Sequence, residues 1–166
     1  MDNQDYKHFL QIGIEKTNHG KFDEALEALD KAEELNPNSA TVYFSRAVVF
    51  HNQMDLESAY ENYTKAIQCD EKMTDAYYNR AQVVMLKDKE DKEALKGALA
   101  DLNKSIELDN KFVDAYYYAA VIKKVLEDYN GALEYLNKAL EIEPNAVYSR
   151  ALKKLILQKY LKRNEE

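Results

Sequence analysis

The chain has 166 residues, 46% of them apolar, a formal net charge of -7, and only four glycines and two prolines. That much apolar side chain builds a core, which argues against disorder, and so few helix breakers favour long helices over a many-turned sheet. The negative balance makes nucleic acid a poor partner, and a single cysteine excludes an intramolecular disulfide or a multi-cysteine metal site.

In chain order, apolar residues recurring at i, i+3, i+4 and i+7 predict helices over 5–18, 22–36, 40–52, 56–70, 74–87, 93–109, 113–126, 129–143 and 146–163. The first helix carries Phe9 and, four residues on, Gly13; the second carries Ala25, Leu29 and Ala32 and closes on Glu-Leu-Asn-Pro at 34–37. The third repeats the first as Tyr43 and Ala47, and the fourth repeats the second as Ala59, Tyr63 and Ala66. The fifth and sixth give Tyr77 and Ala81, then Ala98, Leu102 and Ser105. The seventh and eighth give Tyr116 and Ala120, then Ala132, Leu136 and Ala139, closing on Glu-Ile-Glu-Pro at 141–144. The openings Ala25, Ala59, Ala98 and Ala132 are spaced 34, 39 and 34 apart, so the third segment holds a five-residue insertion. Large residues alternating with small ones let two helices pack closely. Each hairpin leaves one face bare until a neighbour stacks on it. Both prolines fall just past a predicted helix end, where they stop a helix without breaking it.

The ninth helix has no predicted partner. Its apolar residues Val147, Tyr148, Ala151, Leu152, Leu155, Ile156 and Tyr160 span an arc of roughly 220°, about twice what one packing face needs. Either two sides grip it, or part of it awaits a second contact such as a dimer mate. Residues 147–166 hold six basic groups (Arg150, Lys153, Lys154, Lys159, Lys162 and Arg163) against Glu165 and Glu166, while the rest of the chain has 17 basic groups against 28 acidic ones. A basic end on an acidic body docks on itself, meets an acidic partner, or is a solvated helix face.

The 34-residue period, the Ala-x-x-x-Leu/Tyr-x-x-Ala motif and the closing Asn-Pro resemble the tetratricopeptide repeat family. Gly13, Gly20 and Phe22 stand where that family favours glycine, glycine and an aromatic. The resemblance implies an all-α, right-handed superhelix of helical hairpins, about nine helices in one domain spanning 1–166. Its repeats are expected at about 6–39, 40–73, 74–112 and 113–146, with a capping helix over 146–163. It departs at Glu71 and Asn110, where the family has proline, and at Lys16 and Lys123, where an aromatic is common.

The resemblance further implies that the first helix of each repeat lines a concave side. The residues following the core columns then face inward: Leu10 and Ile14, Phe44 and Val48, Tyr78 and Gln82, Tyr117 and Val121, with Ser45, Asn79 and Tyr118 next round the wheel and Thr17, His51, Met85 and Lys124 farther along. This apolar and aromatic surface predicts a groove for an extended peptide or an amphipathic helix, with Tyr78 and Tyr117 as anchors. The competing reading is that adjacent helices bury these residues. On the groove reading, losing both anchors costs roughly 2 kcal/mol of affinity, whereas Tyr77→Ala costs about 3–5 kcal/mol of stability. Some members of the family hold a chaperone's C-terminal carboxylate with lysine, asparagine and arginine. Here the matching places hold Leu10, Ile14, Ser45, Asp75 and Asn79, or, one repeat on, Phe44, Val48, Asn79, Asp114 and Tyr118, so no carboxylate clamp is expected.

Catalytic equipment is not expected. His8, His19 and His51 have no metal-ligand spacing, and no phosphate-binding glycine motif occurs. Cys69 shares a column with Leu35, Leu108 and Ile142 and is expected to be a small core hydrophobe. The alternating charges of 87–93 read as a solvated loop or helix extension, or as a rim contact. The expected function is a non-catalytic protein-interaction scaffold without cofactor or metal, whose partner is a protein or peptide. The alternative is self-assembly, with a homodimer through the C-terminal helix. No run of 18 apolar residues predicts a membrane span, and the polar start Met1-Asp2-Asn3-Gln4-Asp5 lacks a following apolar stretch, so a cytoplasmic setting is expected.

Overall fold

A computed structural model describes residues 3–163, with side-chain surroundings from residue 4 to residue 159. Among the described residues nine helices account for all regular structure: α1 (Asn3–Asn18), α2 (Phe22–Leu35), α3 (Ala40–Asn52), α4 (Leu56–Cys69), α5 (Thr74–Lys87), α6 (Lys92–Leu108), α7 (Val113–Val125), α8 (Tyr129–Ile142) and α9 (Val147–Arg163). Every helix begins or ends within two residues of its sequence-based expectation. They fall into two compact units, Met1–Lys87 and Asp88–Glu166.

Local chemistry explains the boundaries. Orphan amides at helix starts are satisfied by side-chain oxygens: Ser39 accepts from Val42, Asp55 from Ser58, Asp91 from Glu93 and Ala94, and Asp128 from Gly131. Three of the hairpin turns end on a residue in the left-handed region, at Gly20 (φ 70°), Met54 (φ 62°) and Glu127 (φ 62°). Ion pairs brace two of these turns, Lys16 with Glu24 and Lys123 with Asp128. Each holds its lysine above, and its carboxylate below, the ordinary pKa. The insertion is absorbed between Tyr77 and Ala98. Relative to the other hairpins one residue lengthens α5, one lengthens the turn, and three lengthen α6.

In the first unit α1 packs on α2, α3 on α4, and α4 on α5; in the second α6 packs on α7, α7 on α8, and α8 on α9. The small residues make these approaches close. A Cβ on Gly13 would stand 2.6 Å from the Leu29 side chain, and Ala47, Ala81 and Ala120 have no accessible surface. Leu29, Tyr63, Leu102 and Leu136 are equally sealed and form one column of the core.

Two core expectations need correction. Cys69 is exposed, as are Leu35 and Ile142, while Leu108 is half-buried. Their shared column lies on the last turn of each second helix, three residues beyond the small residues that make the close contact. Tyr77 is half-buried, packing against the core edge beside the Arg80 guanidinium, 5.9 Å from its ring centre. Tyr63, wholly enclosed by the first unit, takes the central role expected of Tyr77. In α9, Ser149, Leu152 and Ile156 are buried, whereas Val147, Tyr148, Ala151 and Leu155 face solvent. The wide apolar arc is therefore only partly used within the described residues. The side chains of Tyr160, Lys162 and Arg163, together with Glu165 and Glu166, lie outside them.

Candidate functional site

The residue after each small core residue is turned about 100° from it on a helix, and the structure places these side chains between core and surface. Leu10, Ile14, Phe44, Val48, Tyr78, Asn79 and Gln82 in the first unit are all half-buried, and so are Tyr117, Tyr118 and Val121 in the second. None is sealed inside. Several serve two purposes: Leu10 packs against the cluster of Ala25, Leu29 and Val49, Phe44 and Val48 lean on the cluster around Ala47 and Tyr63, and Tyr117 and Val121 lean on the cluster that holds Ala120, Leu136 and Ile156.

In the first unit, α1 and α3 enclose a hollow of about 250 Å³ lined by Ile14, Thr17, Asn18, Thr41, Phe44, Ser45 and Val48. Phe44 forms one wall, its ring tilted against that of Tyr63 with centres 5.6 Å apart. Ser45 and Thr17, expected on the open surface, are buried instead and form the floor. Their side chains are too short to reach out of it, and the Thr17 hydroxyl bonds back to the Gly13 carbonyl at 2.7 Å. Thr41 and Asn18 complete the rim and were not singled out by sequence. Thr41 stands one turn before Phe44 and Ser45 in the same helix, which was the available signal. No lysine or arginine is among the lining residues.

On α5, the Gln82 amide donates to the Tyr78 hydroxyl at 3.0 Å, and the Asn79 amide turns back to the Asp75 carbonyl at 2.8 Å. Gln82 thus fixes the tip of the Tyr78 ring. His51, farther along α3, stands edge-on to Tyr63, ring centres 6.3 Å apart, and burial holds its pKa below the ordinary imidazole range.

In the second unit the corresponding surface is a row of rings. Tyr117 meets Tyr118 edge-on at 5.2 Å and Tyr148 of α9 at 6.0 Å. Burial first, then the Tyr118 and Tyr148 hydroxyls, push the Tyr117 phenol upward in pKa, so it remains a neutral donor. Tyr148 was read as part of a capping helix and not as a site residue. Carrying the 34-residue register on from Asp114 to Tyr148 would have found it.

Such surfaces bind by burying apolar area and by directing a few hydroxyl and amide groups. Among the described residues no group of three or more His, Cys, Asp or Glu side chains is placed to hold a metal ion. No helix among them is long and apolar enough to cross a membrane.

Comparison with known proteins agrees with this architecture. Residues 16–53 match a family model described as TPR repeat, and residues 113–146 match one described as tetratricopeptide repeat. A 62-residue stretch is 36% identical to the type IV pilus assembly protein PilF of Pseudomonas aeruginosa, covering 37% of this chain and 25% of that protein. The chain therefore spans about a quarter of the curated relative it matches. Among solved structures, a MamA protein superposes with a TM-score of 0.86 over 99% of this chain and 87% of that one, at 21% identity. The Pseudomonas aeruginosa PilF structure superposes with a TM-score of 0.82 over 96% of this chain and 71% of that one, again at 21% identity. The first TPR of Spaghetti (RPAP3), solved bound to the HSP90 peptide SRMEEVD, gives 0.68 over 74% of this chain and 94% of that one, at 21% identity. At such identities the likeness is one of fold, an all-α helical-repeat solenoid.

Proposed function

The chain belongs to the tetratricopeptide repeat family, whose members are in general protein-interaction scaffolds rather than catalysts, and from that premise we propose that it holds an apolar segment of a partner polypeptide on the inner faces of its first helices. The observation that carries this reading is the hollow between α1 and α3, walled by Ile14, Phe44 and Val48 and floored by Ser45 and Thr17. Exposed concavities of this composition accept an apolar side chain. In the first unit Tyr78 on α5 offers a further ring, and in the second unit Tyr117 and Tyr118 on α7 offer rings of their own. Rings bury much area at small entropic cost, which makes them good anchors.

The peptide class differs from the acidic one held by the RPAP3 domain. The places that a carboxylate clamp would fill with lysine, asparagine and arginine hold Leu10, Ile14, Ser45, Asp75 and Asn79, with no cation among them, so an apolar or aromatic segment fits better than an anionic one. The test is capture of partners by the full chain, compared with Val48→Asp and with Tyr78→Ala and Tyr117→Ala. Each change should weaken capture by about 1–2 kcal/mol. Thermal melting of Tyr78→Ala should stay close to wild type, while Val48→Asp and Tyr117→Ala should melt lower because both side chains also lean on the core. Partners retained equally by all three variants end this reading.

A second reading, self-assembly through α9, is favoured by the outward Val147, Tyr148 and Leu155, the first two 71% and 75% exposed. Sedimentation of the chain against Val147→Ser with Leu155→Ser decides it: a dimer that dissociates in the variant supports self-assembly, and a monomer in both rejects it.

A further inference from the structure

The other flank of α9 has different chemistry. Shifted by 34 residues, α9 overlays the register of α7: Ala115 and Ile122 become Ser149 and Ile156, and all four are buried. Val42 with Val49 and Ala76 with Val83 are the buried pairs at the same places in α3 and α5. α9 therefore stands where the first helix of a further hairpin would stand, packed on α8 and α7. In α7 the hairpin flank is covered by α8, and Ala120 shares one buried cluster with Ala132 and Leu136. The counterparts in α9 of Tyr116, Ala120 and Lys123 are Arg150, Lys154 and Leu157, and all three are exposed. Among the described residues no helix covers them. A shallow hollow of about 320 Å³ lies there, lined by Leu140, Arg150, Lys153, Lys154, Leu157 and Gln158.

The charge of this flank selects its occupant. From Val147 to Arg163 the sequence has no aspartate or glutamate, while the chain before it carries 17 basic against 28 acidic groups. Two copies of α9 meeting on this flank would set like charges against each other. An anionic guest gains from Arg150, Lys153 and Lys154 on the rim, and only a guest with an apolar stripe covers Leu140 and Leu157. Lys154 replaces the alanine that admits a close second helix, and its long stem lies along the guest while its ammonium reaches outward. We infer that the Leu140–Leu157 floor and its cationic rim form a docking site for an acidic amphipathic helix of another polypeptide, seated where the second helix sits in the other hairpins.

The test uses the full chain and a labelled peptide of about 18 residues, long enough to form a helix, with leucine at i, i+3, i+4 and i+7 and glutamate over the rest. A scrambled peptide of identical composition is the control. Fluorescence anisotropy at low salt should show binding that weakens about tenfold or more in Arg150→Glu with Lys154→Glu, and severalfold in Leu157→Ser. It should also weaken as salt screens the rim. The scrambled peptide should bind at least about tenfold more weakly, because its leucines share no face. All three side chains are solvent-facing, so circular dichroism of the variants should match wild type. Val48→Asp should bind the peptide as wild type does, which separates this flank from the α1–α3 hollow. Equal binding of both peptides overturns the inference, as does indifference to charge reversal or loss of binding in Val48→Asp. So do capture by anionic phospholipid vesicles without capture of the peptide, and self-association that the charge reversal abolishes.

Discussion

The first-helix faces of the two units share one register but not one shape. In the first unit the helix pair α1 and α3 leaves a hollow; in the second, α7 and α9 present a row of tyrosines. The decisive position is Ser45 in α3, whose counterpart in α7 is Tyr118. A buried hydroxymethyl group leaves space beside Phe44, and a phenol ring in the equivalent place becomes a platform for its neighbour. The backbone repeat fixes which positions turn inward, and the size of one side chain there decides between cavity and platform, because a packed interior has little slack to redistribute.

The comparison can be broken in its core first. Tyr63 and Leu136 hold the same column in the two units, and both are sealed. Tyr63→Ala and Leu136→Ala should each cost about 3–5 kcal/mol in urea unfolding. A loss confined to one of them would show that only that unit's column bears the load. Tyr77→Ala, whose side chain is half-solvated, should cost less than either.

The next contrast is in the small column, where the first unit has Gly13 and the second Ala120. A methyl group on Gly13 meets the Leu29 side chain at 2.6 Å, so Gly13→Ala should destabilise by about 1–3 kcal/mol. A neutral outcome would mean that α1 and α2 shift apart as readily as α7 and α8 are already set.

Ser105 breaks the pattern in the opposite sense. Its hydroxyl is buried without a hydrogen-bond partner, in the column where Ala32, Ala66 and Ala139 stand. Ser105→Ala should raise stability by about 1 kcal/mol, since a lone buried hydroxyl carries a desolvation cost; an unfolding midpoint at or below wild type counts against it. The turns come next. Met54 and Glu127 adopt the left-handed backbone that Gly20 adopts in the first turn. Met54→Gly and Glu127→Gly should each gain about 0.5–1 kcal/mol, and Gly20→Ala should lose a similar amount.

The smallest effect is one of pH. Burial depresses the His51 pKa in the fold, so the unfolded chain binds its proton more readily. Stability is lost as pH falls through the ordinary imidazole range near 6.5. His51→Gln should flatten the stability profile between about pH 7 and 5, and an unchanged slope would place the acid sensitivity elsewhere.

Periodicity and punctuation made most of the fold legible. Pro37 and Pro144 follow helix ends as expected, whereas the caps by Ser39, Asp55, Asp91 and Asp128 were found only in the structure. The candidate site was legible as a register: all ten expected inner residues are half-buried, a state between the two readings that the sequence left open. What it did not reveal were Thr41, Asn18 and Tyr148, or that Ser45 and Thr17 form a floor. Those depend on how far a neighbouring helix reaches, which no spacing along one helix records. Cys69 failed for the same reason, since its column is apolar by pattern but lies on the final turn.

The order of large and small residues by itself determined the helices of the described residues and their phase, because helix periodicity is a local property of the chain. Tertiary structure alone decided where a buried stripe stops, which inward position becomes a hollow, and which flank of α9 is left facing water. Each of those is set by contact between residues far apart in sequence, where a difference of one side chain's volume determines what solvent reaches.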